Sequence, residues 1–446
     1  MSYTPINDFV NEYKNKKNSR FHMPGHKGIP VHGMEPLDIT EIKGADYLYE
    51  AEGIIAESEE LTSRLFGTER TLYSTEGSSL SIKSMLAVIA FCCKDTAYKP
   101  YIIASRNVHK AFIDGCCLLD IDVDWVYAEK SGGLCSSLVT ADEIEYAIKN
   151  AKRKPDGVYV TSPDYLGNIL DIESIAKVCH KYGVILAVDN AHGAYLKFLE
   201  KSCHPIDLGA DICADSAHKT LPVYTGGSYL HISANAPKEF AECAKSAMSL
   251  FASTSPSYLI MQSLDKCCGE LYGELPEKIR RCGVRIADLC GKIKSYGWDI
   301  RQNEPLKLTI YANKSGYRGS ELSQLLREYK IECEYADVNC VVLMISPYNT
   351  QKDFQRFEKA MKNISQKEPI IPDDIKVVKA VKKMTIRQAY FSSCRNVSVE
   401  NAEGKICARS AISCQPSVPV IAPGELVTSE IVKILKKYGI LTINVL

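Results

Sequence analysis

The sequence lacks an excess of charge of either sign, since 54 Lys+Arg balance 54 Asp+Glu and the formal net charge is zero. Such a chain has no long-range attraction for a nucleic-acid backbone or an anionic bilayer, which favours small neutral or zwitterionic partners. Long apolar runs are also lacking: the most apolar stretch, Met85 to Cys93, is far shorter than the roughly 20 residues of a membrane span. The opening residues MSYTPINDFVNEYKNKKNSRF contain no apolar signal-peptide core. We therefore expect a cytoplasmic protein.

Cysteine is abundant, with 18 residues, but the pattern of a disulfide framework is absent. Cysteines are scattered along the chain and some are adjacent, as in Cys92–Cys93, whereas secreted disulfide-rich domains are short chains with spaced cysteines. We expect reduced, mostly buried thiols. Cys203 with Cys213 and His22 with His26 have ligand-like spacing, but converging zinc-binding pairs are lacking and we expect no metal site.

Short apolar runs alternate with amphipathic segments along the first two thirds of the chain. The segments Ile144 to Ala151 and Ile172 to Tyr182 carry apolar residues at three- and four-residue spacing, which predicts helices. The β-branched runs between such segments predict strands at 101–104, 123–127, 158–161, 184–188, 212–214 and 229–232. This alternation predicts an α/β fold with a mostly parallel sheet, in which ligands bind at the carboxyl ends of the strands.

A chain of 446 residues exceeds the size at which one hydrophobic core stops growing, so we expect two domains. The predicted parts are an N-terminal segment at 1–45, a large domain at 46–300 and a smaller α+β domain at 301–446. In the smaller domain, strands are predicted at 306–312 and 338–345 and helices at 319–329 and 353–364. The stretch KEPIIPDDIK, residues 367–376, is rich in proline and charge and predicts a linker.

Two of the apolar runs end in polar residues that suit one site. One run ends in Asp189, within VDNAHGAY, and another is followed by Ser216, His218 and Lys219, within DSAHKTLP. An ionised aspartate at the end of a buried strand is costly unless a cation or a donor meets it. Because the carboxyl ends of parallel strands form one edge of a sheet, we expect the lysine and the aspartate to lie near each other.

A lysine amine and a buried acid are both required by pyridoxal phosphate, whose aldehyde reacts with the amine and whose pyridine nitrogen needs the acid. Its phosphate suits a glycine- and hydroxyl-rich turn at a helix N-terminus. Gly77, Ser78 and Ser79, within STEGSSLSIKSML, precede a helical pattern, and Ser216 is a further phosphate candidate. His109, within SRNVHKAF, is a candidate to stack on the cofactor ring. The sequence therefore predicts a pyridoxal phosphate site.

Each of these residues also has an ordinary structural interpretation. Taken alone, Lys219 suits the exposed start of a helix, and Asp189 suits a helix N-cap. Gly77 suits a loop, and His109 suits a satisfied core or surface position. Their order and their positions at strand ends favour one cofactor site over four unrelated features.

The motifs VDNAHGAY and DSAHKTLP are accompanied by FHMPGHKG, DITEIKGADYLYEAEGII, SRNVHKAF, TSPDYLGNILDI, STSPSYLIMQSLD, IRQAYF and PVIAPGE. In this order they resemble the ornithine/lysine/arginine decarboxylases, a family of fold-type-I pyridoxal phosphate enzymes. The resemblance covers nearly the whole chain and is to the short form, which lacks the N-terminal wing domain. It implies an aspartate-aminotransferase-like large domain with a mostly parallel sheet and a smaller α+β C-terminal domain.

The resemblance implies a role for each candidate residue. Lys219 would hold the cofactor covalently, and Asp189 would pair with the pyridinium nitrogen. His109 would stack on one ring face and Ala191 would pack against the other, with His192 close by. The residues expected to hold the phosphate are Gly77, Ser78, Ser79, Ser216 and His218, and the expected catalytic residues are Lys219, Asp189, His109 and His218.

The resemblance also implies an active site shared across a dimer interface. The STSPSY segment is expected to approach the neighbouring subunit's cofactor, with Thr254 and Ser255 in contact with it. The N-terminal segment at 1–45 is expected to contribute to the site as well. A homodimer, or a larger assembly of dimers, follows.

The implied reaction is decarboxylation of a basic L-amino acid to the corresponding amine and carbon dioxide, as in polyamine biosynthesis. Arginine is the first choice of substrate, followed by lysine or ornithine. Lys219 or His218 is expected to return a proton to Cα. A carboxylate should bind the basic side chain, and Glu76, Asp164 and Asp46 are the candidates among which the sequence does not choose.

Several departures from the family pattern bear on phosphate binding and substrate choice. Leu80 and Ser81 stand where a glycine is expected, and SCQPSVPV, residues 413–420, lacks the usual tyrosine-proline-proline-glycine run. Glu76 stands where the family usually has asparagine, and Gly226 stands where it usually has glutamine. Other activities of the same fold type, an aminotransferase or a C–S or β-eliminating lyase, would use the same lysine and aspartate. A catalytically silent paralogue is a further alternative, but such a protein would be expected to lose Lys219 or Asp189 first, and both are present.

Overall fold

The computed structural model describes residues 3–93, 98–130, 133–373, 375, 377–412 and 417–446. The chain divides into two compact units, of which the first comprises Met1–Thr96 and Ile172–Glu277 and the second comprises Ala97–Asp171 and Lys278–Leu446. Within the described ranges, no helix combines the length and the apolar character needed to cross a membrane. The predicted domain boundaries at residues 45 and 300 stay predictions.

The strands, in chain order, are β1 (Arg70–Ser74), β2 (Tyr101–Ser105), β3 (Asp122–Val126), β4 (Gly157–Thr161), β5 (Ile185–Asp189), β6 (Ile212–Asp215), β7 (Ser228–Ile232), β8 (Ile300–Glu304), β9 (Lys307–Tyr311), β10 (Tyr335–Ala336), β11 (Cys340–Met344), β12 (Arg395–Ser398), β13 (Ala411–Ile412), β14 (Pro419–Ile421) and β15 (Thr442–Val445). The α-helices are α1 (Pro5–Lys16), α2 (Ile54–Phe66), α3 (Gly77–Phe91), α4 (Lys110–Leu119), α5 (Ala141–Lys149), α6 (Ile172–Lys181), α7 (Ala217–Thr220), α8 (Lys238–Ser249), α9 (Tyr258–Leu271), α10 (Leu275–Ser295), α11 (Gly319–Glu328), α12 (Gln351–Asn363), α13 (Ile386–Phe391) and α14 (Ser429–Lys437).

The first seven strands belong to a seven-stranded sheet in the order β1-β7-β6-β5-β4-β2-β3. Strand β5 pairs in parallel with β6, and β2 pairs in parallel with β3 and β4. Only β7 runs against its neighbours, pairing antiparallel with both β1 and β6. The sheet is therefore mostly parallel, as the sequence predicts.

The inner strands of the first unit are apolar because they are buried on both faces. In β5, Leu186, Ala187 and Val188 are buried, and in β6 every residue from Ile212 to Asp215 is buried. Helix α3 is also apolar on most of its surface, and its residues from Leu80 to Ile89 are almost all buried. Charged residues are unusual at the ends of such apolar elements, and those at the ends of β5 and β6 lie at the candidate site.

The second unit contains three further sheets. A four-stranded antiparallel sheet has the order β10-β11-β9-β8, and two strand pairs join β12 with β15 and β13 with β14. The two strand pairs and α14 pack around a core that includes Val399, Ile421, Leu435 and Val445. This part of the chain is α+β, as predicted.

The predicted elements are confirmed, with ends that shift by a few residues. Helix α5 begins at Ala141 rather than Ile144, because Thr140 and Glu143 form a capping box that starts the helix one turn earlier. Strand β1 was not predicted, although RTLYS has the β-branched and aromatic character of a strand. Residues 367–376 contain no helix or strand where they are described, and residues 374 and 376 of this predicted linker lie outside the described ranges.

The described cysteines are all free thiols, and most of them are buried. Burial raises the pKa of several, including Cys213 and Cys267, so these thiols stay protonated at neutral pH. They act as small apolar residues of the core.

Candidate active site

The predicted lysine and aspartate lie at the carboxyl ends of neighbouring strands of the first unit. Asp189 is the last residue of β5 and is only 2% exposed. Lys219 lies in α7, the one-turn helix that follows β6. Since β5 and β6 are parallel neighbours with Asp189 opposite Ala214, both residues are at the carboxyl edge of the sheet.

The turn after β5 brings a histidine to the lysine. The Nζ atom of Lys219 lies 3.1 Å from Nε2 of His192. Within the same turn, the backbone N–H of Ala191 donates to Oδ1 of Asp189 at 3.2 Å. Three predicted residues, Asp189, Ala191 and His192, therefore share one short buried turn that faces Lys219.

The N-terminus of α3 forms the predicted anion-binding turn. Gly77 begins the helix with a φ of +71°, a conformation that favours glycine. Ser216, directly before α7, donates through its Oγ to Oγ of Ser78 at 2.7 Å, so hydroxyls from two elements meet here. The first turn of α3 contains no acidic residue, so the helix dipole and the backbone N–H groups that follow Gly77 are available to an anion.

Glu76, which precedes this helix, is oriented by a distant segment. Its Oε1 accepts a hydrogen bond from the backbone N–H of Ser253 at 2.7 Å. One carboxylate oxygen is thus bound to the segment before α9, which reduces the electrostatic conflict that a glutamate beside a phosphate site would cause. Thr254 and Ser255 follow in the same segment and are exposed.

Gly226, another departure from the family pattern, has a structural reason. It has a φ of +102°, and a Cβ at this position would lie 2.8 Å from the backbone oxygen of Thr75. Its own carbonyl accepts from the N–H of Gly77 at 2.7 Å. A glutamine would not fit, because the loop that begins α3 packs directly on this glycine.

His218 is held as a neutral imidazole. Its Nδ1 lies 2.9 Å from the carbonyl oxygen of Gly227, so Nδ1 carries the proton and donates it. Burial lowers the pKa of His218, and the neighbouring Lys219 lowers it further. In this state Nε2 is a hydrogen-bond acceptor.

His109 lies in the second unit, after β2. It caps the N-terminus of α4, where its Nδ1 accepts from the N–H of Ala111 at 3.1 Å. The ring is half-buried. Its predicted stacking on the cofactor stays a proposal.

Two of the three candidate substrate-binding acids accept hydrogen bonds from the backbone of their own loops. Asp46 accepts from the backbone N–H groups of Tyr47, Glu52, Gly53 and Ile55, and these bonds outweigh burial and lower its pKa. Asp164, in the second unit, is buried, which raises its pKa. It accepts from the backbone N–H groups of Leu166 and Asn168.

A buried polar cluster behind this edge of the sheet was not predicted. His204 and His231 both contact Asp215, the last residue of β6, and all three are fully buried. In the part of the chain that is described, they form the one group of three His, Cys, Asp or Glu residues close enough to share a metal ion. The predicted spacing pairs do not form such a group: His26 contacts Asp38, and Cys213 contacts Asp215.

The first unit thus collects the groups that pyridoxal phosphate needs. Lys219 supplies an amine, Asp189 supplies a buried carboxylate, and the start of α3 with Ser78 and Ser216 supplies donors for a phosphate. The donor set fits this cofactor.

The family described as Orn/Lys/Arg decarboxylase, major domain, matches residues 4–287. The chain is 27% identical to the arginine decarboxylase of Bacillus subtilis over 96% of its own length and 92% of that protein. It is 29% identical to the uncharacterized protein YaaO of the same organism over 97% of its own length and 94% of that protein. The crystal structure of the Francisella novicida lysine decarboxylase is 17% identical and superposes with a TM-score of 0.82, covering 99% of this chain and 81% of that one.

Proposed function

Because the chain belongs to the Orn/Lys/Arg decarboxylase family, we propose that it decarboxylates a basic L-amino acid with pyridoxal phosphate and releases the corresponding amine and carbon dioxide. Arginine is the first choice of substrate, since full-length relatives carry that name, and lysine or ornithine follows. The observation that carries the proposal is the position of Lys219 and Asp189 at the carboxyl ends of two neighbouring parallel strands, with the start of α3 beside them.

The chemical problem is the electron pair that remains on Cα when carbon dioxide leaves. Pyridoxal phosphate, when bound, supplies a conjugated ring that takes up this pair. Lys219 is the residue that would hold the cofactor, and Asp189 would keep the ring nitrogen protonated. A carboxylate that is only 2% exposed favours a cationic partner, because burial without one is costly.

The proton that Cα regains is best delivered by Lys219. His218 carries its single proton on Nδ1, and this proton is bound to the carbonyl of Gly227. Burial and the charge of Lys219 both oppose a second proton on the His218 ring. His218 therefore presents an acceptor at Nε2 rather than a proton donor. The net reaction consumes one proton from solvent.

Glu76 is the best placed of the three candidate acids to bind the basic side chain of the substrate. The carboxylates of Asp46 and Asp164 are occupied by several backbone N–H groups of their own loops. Glu76 is exposed and adjoins the start of α3, and one of its oxygens accepts from Ser253. An exposed carboxylate beside the site suits a guanidinium or an ammonium group.

We further propose a homodimer in which Thr254 and Ser255 contact the neighbouring subunit's cofactor. His109 is proposed to stack on a cofactor ring. The exposure of Thr254 and Ser255 supports this role. A cytoplasmic location and a part in polyamine biosynthesis complete the proposal.

The test is an absorbance scan of the purified protein, followed by separate additions of arginine, lysine and ornithine with amine and carbon dioxide measured. A visible cofactor band that responds to one amino acid, with one carbon dioxide per amine, would support the proposal and name the substrate. A band without carbon dioxide from any of the three would contradict decarboxylation of these amino acids. The absence of a band after addition of cofactor would contradict the assignment of Lys219.

A further inference from the structure

A fully buried carboxylate lies directly behind the candidate active site. Asp215 ends β6, one residue before Ser216. Its Oδ2 lies 3.0 Å from Nε2 of His204 and 3.2 Å from Nε2 of His231, and none of the three side chains is exposed to solvent. Asp215 is not required by the proposed reaction, so its burial needs another explanation.

The hydrogen bonds at Nδ1 of each histidine indicate that the Nε2 atoms donate to Asp215 rather than bind a metal ion. Nδ1 of His204 accepts from the backbone N–H of Ile206 at 3.4 Å, so Nε2 of His204 carries the proton. Nδ1 of His231 lies 2.8 Å from the hydroxyl of Thr71, which can donate to it. A metal ion would need both Nε2 atoms deprotonated, which the N–H of Ile206 opposes.

The net effect of this network is a stable buried anion. Burial alone would raise the pKa of Asp215, but His204 and His231 outweigh it and hold the pKa well below its usual value. The other oxygen, Oδ1, accepts from Nδ2 of Asn190 at 2.7 Å and from the thiol of Cys213 at 3.3 Å. Four donors thus converge on one carboxylate, which is how a buried charge is tolerated.

Asn190 connects this anion to the active-site turn. It follows Asp189, and its carbonyl accepts from the N–H of Gly193 at 2.8 Å. Its side chain passes directly beneath Gly193, where an added Cβ would lie 1.9 Å from Oδ1 of Asn190. The hydrogen bond to Asp215 fixes the amide orientation, because the reverse orientation would place an amide oxygen against the carboxylate.

We propose that Asp215 is a positioning residue whose hydrogen bond to Asn190 fixes the turn from Asp189 to Gly193. This turn carries Asp189, Ala191 and His192, and His192 contacts Lys219. The significance for catalysis rests on the proposed function, whereas the positioning itself does not. Misplacement of reacting groups by a fraction of an ångström lowers turnover more than substrate binding.

The test compares two variants by hydrogen exchange of the cofactor-free protein, measured by mass spectrometry on peptides that span residues 186–196. Asp215→Asn removes the charge and presents an NH2 group to donors, and Asn190→Ala removes the link but leaves Asp215 with both imidazoles. In each variant we expect the amides of Ala191 and Gly193 to exchange at least about 10-fold faster than in the parent protein. Because Asn190→Ala preserves the buried Asp215–histidine contacts, it keeps the test valid if Asp215→Asn fails to fold.

Asp211→Asn is the matched control, since Asp211 is a buried aspartate at the opposite end of β6 that also accepts from a histidine. We expect it to leave exchange at 191 and 193 unchanged. With cofactor and substrate present, Asp215→Asn and Asn190→Ala should each lower kcat about 10-fold, with KM changed by less than about twofold. Because both substitutions break the same hydrogen bond, the double variant should have a kcat no lower than that of the slower single variant.

Unchanged exchange at residues 191 and 193 in both variants would overturn the positioning role. So would a stoichiometric metal ion in the purified protein that Asp215→Asn removes. Exchange does not depend on turnover, so faster exchange in a protein that decarboxylates none of the three amino acids would leave the positioning role intact and refute only the proposed reaction.

Discussion

Strand β6 has an aspartate–histidine contact at each end, and the two contacts differ in number of donors and in burial. At the amino end, Asp211 accepts from the N–H of Leu186 at 2.7 Å and from Nε2 of His180 at 3.1 Å, and the His180 side chain is 45% exposed. At the carboxyl end, Asp215 accepts from two imidazoles, an amide and a thiol, and no part of the Asp215–histidine cluster is exposed.

Because their hydrogen-bond donors differ, the pKa values of the two aspartates are shifted in opposite directions. Burial raises the pKa of Asp211, and its donors only reduce this effect. Burial also acts on Asp215, but the two histidines outweigh it and the net shift is downward. The two aspartates thus differ because Asp215 accepts from two imidazoles, an amide and a thiol, whereas Asp211 accepts from one backbone N–H and one imidazole.

The largest effect is expected from a lysine at the carboxyl edge of the sheet, compared with a lysine near the opposite edge. Lys219→Ala at the carboxyl end should abolish the cofactor absorbance and lower kcat on the order of 10⁴-fold, because both the covalent attachment and the proton donor are lost. Lys181→Ala, at the end of α6 near the amino end of β5, should change neither. Retained absorbance and activity in Lys219→Ala would show that another residue holds the cofactor.

The next largest effect concerns Asp189, which ends β5, compared with Asp211, which precedes β6. Asp189→Asn should retain bound cofactor but lower kcat by about 10²–10³-fold, because the ring nitrogen loses its charged partner while Lys219 is intact. Asp211→Asn should keep kcat within about twofold. Steady-state kinetics beside a cofactor titration measures both, and full activity of Asp189→Asn would mean that a different acid serves the ring.

A smaller effect is expected from Glu76. Glu76→Gln can still accept from the N–H of Ser253 through its amide oxygen, so the substitution isolates the charge. We expect KM for arginine to rise about 10-fold with kcat little changed, because a charge-assisted hydrogen bond to the substrate side chain is weakened. Glu173→Gln, on the surface of α6, is the control. An unchanged KM would exclude Glu76 as the substrate-binding acid.

The smallest effect is a difference in how stability varies with pH. The pKa of Asp215 is lowered on folding, so its contribution is complete above the usual value of 3.8 and is lost as the pH falls below it. The pKa of Asp211 is raised, so ionising Asp211 costs stability as the pH rises above 3.8.

Urea unfolding of the two asparagine variants at several pH values would measure this difference. The destabilisation caused by Asp215→Asn should shrink below about pH 4, where the carboxyl group is protonated in the unfolded chain. The destabilisation caused by Asp211→Asn should instead become smaller as the pH rises above about 4. Parallel curves for the two variants would remove the electrostatic distinction between the ends of β6.

The strands and helices could be predicted because their signal is local. The run VILAVD is apolar since β5 is buried on both faces, and Ile172, Ile175 and Cys179 share the buried face of α6. The positions of Asp189 and Lys219 follow from the same signal, since Asp189 ends one apolar run and Lys219 lies a few residues after another. Residue order was therefore enough to predict the α/β fold and the position of Asp189 and Lys219 at the carboxyl edge of the sheet.

Only the tertiary structure decided which side chains meet. The contact of Glu76 with Ser253 spans 177 positions, and that of His231 with Thr71 spans 160, so no periodicity in the chain could indicate them. Gly226 stood out in the sequence as a departure, and the close approach of Thr75 explains it. Asp215 lay within a quoted motif, yet three of its four donors, Asn190, His204 and His231, come from other parts of the chain. Hydrogen bonds act over about 3 Å in space and carry no fixed spacing in sequence, which is why the polar network behind the site required the folded chain.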